Sequence, residues 1–136
     1  MSGLSVIEGL IEQKLMNVHT AFLAKVTSTN GATATVQPLN MIKQYGKTAV
    51  KQSVLPNVPI LQNARYKMKP TTISYMVSET SSKSTTVVTP VSIAKGDIVF
   101  CVCADRDITE ARRGNIAVPV VGRHHDLSDA VIVGVL

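Results

Sequence analysis

From Thr20 onward the apolar residues of this chain repeat with a period of two. Phe22, Ala24 and Val26 alternate with Leu23, Lys25 and Thr27, and after Asn30-Gly31 the pattern resumes as Ala34 and Val36 against Thr33, Thr35 and Gln37. Residues two apart share a face of a strand, so each run is a strand with one face to bury. Asn-Gly between such runs is a strong short-range hairpin signal, because both residues tolerate the positive φ of a type I′ turn. Any fold for this chain must therefore accommodate an antiparallel hairpin directly after its first element.

That first element has a helical period. Ile7, Ile11, Leu15, Val18 and Phe22 recur at spacings of four, four, three and four, which predicts a helix over residues 3–19 with one apolar stripe. Ser5-Val6-Ile7-Glu8 has the S-x-x-E form of a capping box. Ile7, Ile11, Leu15 and Val18 are the candidate helix interface, and the stripe must lie against the rest of the domain or against another subunit. The expected division is an N-terminal amphipathic helix over 1–19 and a barrel over 20–136, one domain in all, as 136 residues allow.

Beyond the hairpin, VLPNVPIL at 54–61 carries Pro56 and Pro59, which cannot donate ladder hydrogen bonds, and reads as an edge strand or extended segment. ISYMV at 73–77 and TTVVTPVSI at 85–93 flank SETSSKS, a second hairpin with a mobile polar tip at 78–86. Ala94-Lys95-Gly96-Asp97 turns into IVFCVCA, an apolar run expected at the centre of the sheet. DRDITEARRGN has helical character, with Asp107 or Thr109 as cap and Gly114-Asn115 as stop. IAVPVVG, GRHHDLSDA and VIVGVL complete the chain. One helix and five to seven short strands with Gly, Pro and Asn turns point to a mainly β fold: a small OB-type Greek-key barrel, with a short helix or turn after the central strand.

Charge and composition narrow the function classes. A net charge of +5 fits a polyanionic partner, but Lys and Arg are scattered and only Arg112-Arg113 are adjacent. The sole aromatics are Phe22, Phe100, Tyr45, Tyr66 and Tyr75, too few for a base-stacking surface. An oligonucleotide-binding barrel is thus the second reading, and no specific nucleic acid is expected. No stretch has the roughly 20 apolar residues of a membrane span, and the N-terminus lacks the form of a secretory signal, so synthesis in the cytoplasm is expected. Cys101 and Cys103 would share one strand face, and C-x-C without a second ligand pair reads as two buried thiols.

GRHHDLSDA at 122–130 concentrates the residues that could carry chemistry. As a metal site it would need His124, His125 and Asp126 to converge, yet consecutive side chains in an extended segment diverge, and the remaining histidine, His19, is far away in sequence. As a hydrolase it would pair Ser128 with His125 and Asp126 or Asp129, all within five residues and without a nucleophile elbow. The favoured reading is a structural loop. Asp126-Leu127-Ser128-Asp129 forms a turn capped by its own side chains, Leu127 enters the core, and Arg123, Arg112, Arg113 or Arg106 pairs with Asp105, Asp107, Asp126 or Asp129. No catalytic, metal or cofactor-binding residue is assigned.

KGDIVFCVCADRDI at 95–108, followed by RHHDLSDAVIVGVL at 123–136, resembles the N-terminal OB-fold domain of the central spike proteins of contractile-tailed phages. VTSTNGATATVQPL and VLPNVPIL resemble its first, second and proline-rich third strands, so the resemblance runs from about Thr20 to Leu136. It implies a structural, non-enzymatic homotrimer at the baseplate tip of a virion or tail-like particle. The implied partners are a baseplate hub or tail tube protein and a separate tip protein, with transient host-envelope contact. Asp105, Arg106, Asp107, Arg123, His125, Asp126, Ser128 and Asp129 would be loop and inter-subunit residues. Longer members continue into a β-helical blade where this sequence has its last residue, Leu136, so a bladeless spike is the expectation, and residues 59–91 carry extra sequence relative to the family.

Overall fold

The computed structural model describes residues 3–43, 46–119 and 121–136. Its elements are helix α1 (Gly3–Met16) and strands β1 (Ala21–Thr29), β2 (Thr33–Pro38), β3 (Leu55–Pro59), β4 (Tyr66–Ser78), β5 (Ser81–Ser92), β6 (Ile98–Cys103) and β7 (Ala130–Val135), with three one-turn 3₁₀ segments. The fold is mainly β, as the patterning predicts.

The predicted hairpin is β1–β2, with Val26 opposite Val36 and Ala24, Val26, Ala34 and Val36 all buried. Its turn differs from the expected type. The Asn30 N–H donates to Thr33 O, and Asn30 Oδ1 accepts from the Ala32 and Thr33 N–H groups at 3.0 and 2.8 Å. Asn30 therefore closes the turn as an acceptor, and Gly31-Ala32 become its centre. Gly31 alone has positive φ (93°), the sign pattern of a type II′ turn.

Five strands order as β3-β2-β1-β6-β7. The curled sheet closes where Ile60, just past β3, bridges Ile132 of β7 in parallel, reinforced by Leu61 N–H donating to Ile132 O at 3.1 Å. A three-strand meander, two further strands and a parallel meeting of the third with the last give OB-type connectivity. Pro56 and Pro59 are tolerated because β3 ladders with β2 alone. In β6 the apolar run resolves into alternation: Val99, Cys101 and Cys103 point into the core, while Phe100 and Val102 remain part-exposed outside. Both thiols are free; burial, then the neighbouring Cys103, pushes Cys101 up to about 12, and burial, then Asp126 and Asp129, pushes Cys103 up to about 11. They behave as protonated hydrophobes. With Val26, Val36, Val99 and Ile132 they form a core of short side chains suited to a narrow barrel.

Two elements stand outside this core. Helix α1 stops at Met16, so Val18 and Phe22 are not on it; Phe22 packs against the core from β1, and Ser5 lies inside the helix, not at its cap. No residue of α1 is buried. A cleft of about 470 Å³ lies on the side carrying Gly9, Glu12, Gln13 and Met16, bounded across it by Ile42. At 100° per residue, Leu4, Ile7, Ile11 and Leu15 lie on the opposite side, each more than half exposed. The stripe faces away from its own barrel.

The second is the β4–β5 ribbon, laddered from Tyr66–Ser92 to Ser78–Ser81 with one register shift between Met76 and Ser78, in a sheet of its own. Its loop is only Glu79-Thr80, so the expected polar tip is largely strand: Ser81–Ser84 pair across to Ser78, Met76, Tyr75 and Ser74. Backbone pairing carries this ladder where the side chains give no apolar signal. Lys67 Nζ–Asp97 Oδ1 (2.6 Å) ties its base to the barrel near Ile98, and Ile93 N–H to Arg65 O (3.1 Å) adds one more rung that brings buried Ile93 into the core. Helix α1 enters at the other end, where Cys103 N–H donates to Thr20 O. Ribbon and helix therefore leave opposite ends of the barrel.

Ile132→Ala removes a fully buried side chain from the closure point and is expected to cost about 2–5 kcal/mol. Equilibrium urea unfolding should show a lower midpoint with an unchanged slope. A loss under about 1 kcal/mol would place the barrel's stability elsewhere.

Candidate functional site

The acidic-Arg-acidic turn after β6 and the RHHDLSDA segment meet at the end of the barrel where α1 enters. Three stretches of backbone converge there: Asp105–Thr109, Val121–Arg123 and a 3₁₀ turn at Leu127–Asp129. Arg123 joins them. Its Nε and Nη2 donate to Asp129 Oδ2 and Oδ1 at 2.6 and 2.9 Å, a bidentate fork, and Nη2 also reaches Asp107 Oδ1 at 3.1 Å. Both carboxylates are buried, with Asp129 the deeper at 1% exposure.

One guanidinium cannot neutralise two carboxylates, so backbone donors complete the site. Asp107 Oδ1 accepts from the Thr109 N–H and hydroxyl at 2.9 and 2.6 Å, Asp107 Oδ2 from Val121 N–H at 3.2 Å, and Asp129 Oδ1 from Ile108 N–H at 3.3 Å. The Thr109 hydroxyl and N–H lead, with Val121 N–H and Arg123 adding, in drawing the Asp107 carboxyl down to about 2. The hydrogen bond to Asp129, helped by the surrounding carboxylates, drives the Arg123 pKa upward. Asp126 caps the 3₁₀ turn by accepting from Ser128 N–H at 2.8 Å, and that bond leads in lowering its carboxyl pKa.

The chemistry-bearing residues are thereby committed to structure. Asp126 holds a backbone N–H and Asp129 holds Arg123, so neither carboxylate orients an imidazole toward exposed Ser128. His125 takes the left-handed backbone (φ 44°) and serves through its main chain, donating to Asp105 O and accepting from His19 N–H, while its buried Nδ1 has no hydrogen-bond partner among the described residues. His124 is exposed. Among the described residues no His, Cys, Asp and Glu side chains gather in a group that could hold a metal ion.

Of the residues singled out from sequence, Asp107, Arg123, Asp126, Ser128 and Asp129 come together within one chain, and Leu127 packs against the core as expected. Asp105 contributes only its carbonyl, and Arg106 and Arg112 make no ion pair among the described residues. Arg113 pairs with Glu110 at 3.5 Å, not with an aspartate. Sequence reasoning missed the Lys67–Asp97 pair at the ribbon base, for which the only signal was Asp97 in the turn ahead of β6. It also missed the bare apolar segment at Ile116–Val118.

Fold and site together define a small OB-type barrel whose charged cluster is an intrachain clamp. No family model matches the chain, and no curated protein matches it.

The depressed Asp107 pKa fixes a sign. Between the unfolded value of 3.8 and about 2 the unfolded chain binds more protons, so stability rises with pH through that window. The contribution is complete above the unfolded pKa and is lost as pH falls toward 2. Asp107→Asn should be less stable than the parent at pH 6 and should lose less on acidification, in urea midpoints read from pH 6 down to about 2. Parallel curves for the two chains would remove the carboxylate from this role.

Proposed function

We propose that this chain is a structural, non-enzymatic component of a contractile-tail baseplate: a homotrimeric central spike or spike adaptor capping the tail tube of a phage or tail-like particle. One observation carries the reading. The two motifs that resemble the spike domain, ADRDI and RHHDLSDA, form a single physical unit, the first supplying Asp107 and the second Arg123 and Asp129. A segment pair joined as a clamp makes sense in a barrel that must keep its shape under axial load.

The trimer is supported by α1. An isolated helix of 14 residues is marginal in water, and this one turns Leu4, Ile7, Ile11 and Leu15 away from its own domain. Covering that stripe requires another molecule. Extensions from opposite ends of the barrel suit an axial adaptor, with hub or tube protein at one end and a separate tip protein at the other. Made in the bacterial cytoplasm, it would reside in the particle and meet the host envelope only transiently. Against the oligonucleotide reading, Tyr66 and Tyr75 fall on opposite faces of the ribbon and Phe22 packs on the core, so the described aromatics build no stacking platform.

Light scattering on the purified protein should give three times the 14.6 kDa chain mass at micromolar concentration. A persistent single-chain mass defeats the trimer. Reading frames beside the gene should encode tail tube, hub and fibre proteins; their absence would remove the baseplate setting.

A further inference from the structure

Among the described residues the segment Ile116–Val118 is the barest apolar surface: Ile116 is 106% exposed and Val118 86%. It is not a fraying tail. Its neck is closed by Asp107 Oδ2 accepting from Val121 N–H, and by Arg123 behind it. Its near limb is fixed by Asn115, whose N–H donates to Glu110 O at 3.2 Å and whose Nδ2 donates to Glu110 Oε2 at 2.9 Å, beside Gly114 in the left-handed region. The clamp thus holds out a short arm with two uncovered aliphatic side chains. Basic Arg112 and Arg113 precede it.

Helix α1 is the complementary surface. Its stripe is apolar and uncovered; Glu8 borders it on the helical wheel, and Glu12, one turn further on, stands at the rim between stripe and cleft. Arm and helix leave the barrel at the same end, since Thr20 O accepts from Cys103 N–H and His125 O from His19 N–H. The stripe faces away from its own barrel, across the helix from the cleft at Ile42, so the arm it meets belongs to another copy.

We infer that the Ile116–Val118 arm of one subunit docks on the α1 stripe of a second copy of this chain, with Arg112 and Arg113 facing Glu8 and Glu12. This deepens the trimer reading and rests on it. The alternative, a bundle of α1 helices from the three copies, is disfavoured by Lys14. Seven residues after Ile7, it lies on the line of the stripe, and a bundle would bring its like charges together at the axis. Docking on an arm leaves Lys14 free to extend its stem along the apolar surface with its ammonium in water.

The test is a charge exchange read by sedimentation equilibrium. E8R/E12R and R112E/R113E should each weaken association by about tenfold or more, and the chain carrying all four changes should recover to within about threefold of the parent. Ile116→Asp should weaken association while leaving the thermal midpoint of the barrel in place, because the side chain stands almost bare in its own chain. A parent that stays trimeric while R112E/R113E and Ile116→Asp associate normally overturns the arm–helix contact and leaves the trimer standing. So does a combined chain that fails to recover. A monomeric parent overturns both readings.

Discussion

The Arg123 guanidinium between Asp107 and Asp129 is the interaction on which the rest of this structure depends. Barrel strands β6 and β7 are adjacent in the sheet but separated by 26 residues of chain, from Ala104 to Asp129, whose described residues form no regular element longer than one turn. Without a fixed point such a stretch would wander. The clamp supplies that point by drawing on the two ends of the excursion and its middle, and by spending backbone N–H groups of Ile108, Thr109 and Val121 on carboxylate oxygens. A buried ion pair is seldom a net source of stability over apolar packing, since desolvation offsets the attraction. What it adds here is geometry: a bidentate fork tolerates one arrangement, and a slipped loop would strand a buried carboxylate.

That definiteness matters because the core itself is modest. Valines, alanines, cysteines and a few isoleucines fill it, and among the described residues no aromatic side chain is fully buried. Such a barrel is stable by closure, through the Ile60–Ile132 bridge at one seam and the clamp at one end. The larger apolar side chains are instead spent outside, on α1, the arm and the ribbon. A chain that leaves many large aliphatics uncovered while filling its interior mostly with small side chains exposes apolar surface of the kind the proposed association would cover.

Strands β1 and β2 were legible in the sequence because period-two alternation is a local signal, β3 and β6 as an edge segment with prolines and an apolar run, and so were the shared face of Cys101 and Cys103 and the stop at Gly114. The cap at Asp126 was legible for the same reason: its acceptor serves a donor two residues away. The choice of Arg123 among four arginines was not, because it depends on three segments meeting. The expected helix, residues 3–19, runs past Met16 because Val18 and Phe22 continue the three-four spacing by coincidence, one in a connection and one in a strand. The ribbon was cut short because Ser81–Ser84 lack any apolar period although their backbone pairs fully. IAVPVVG read as one more apolar stretch; that Ile116 and Val118 stand almost bare is a tertiary fact with no local trace.

The two ends of the barrel differ in a way that limits how copies can associate. Long unpaired ribbon edges invite strand addition by any neighbour, and a ribbon of about 12 residues per strand spans about 40 Å of such edge. This one carries Pro70 and Pro90 within its strands and Lys69 and Lys83 along it, features that discourage further strands from pairing. The opposite end offers the apolar stripe and arm. If self-association runs through the apolar end alone, each copy supplies one helix and one arm to its neighbours, and a head-to-tail contact of that kind closes into a ring when the rotation per step divides a full turn. The ribbon then stays outside the ring interface, its Ser, Thr and Lys side chains available to a different protein. In the proposed trimer the end that assembles the ring and the end that meets an axial partner are thus separated by the length of the barrel, so one can be occupied without disturbing the other.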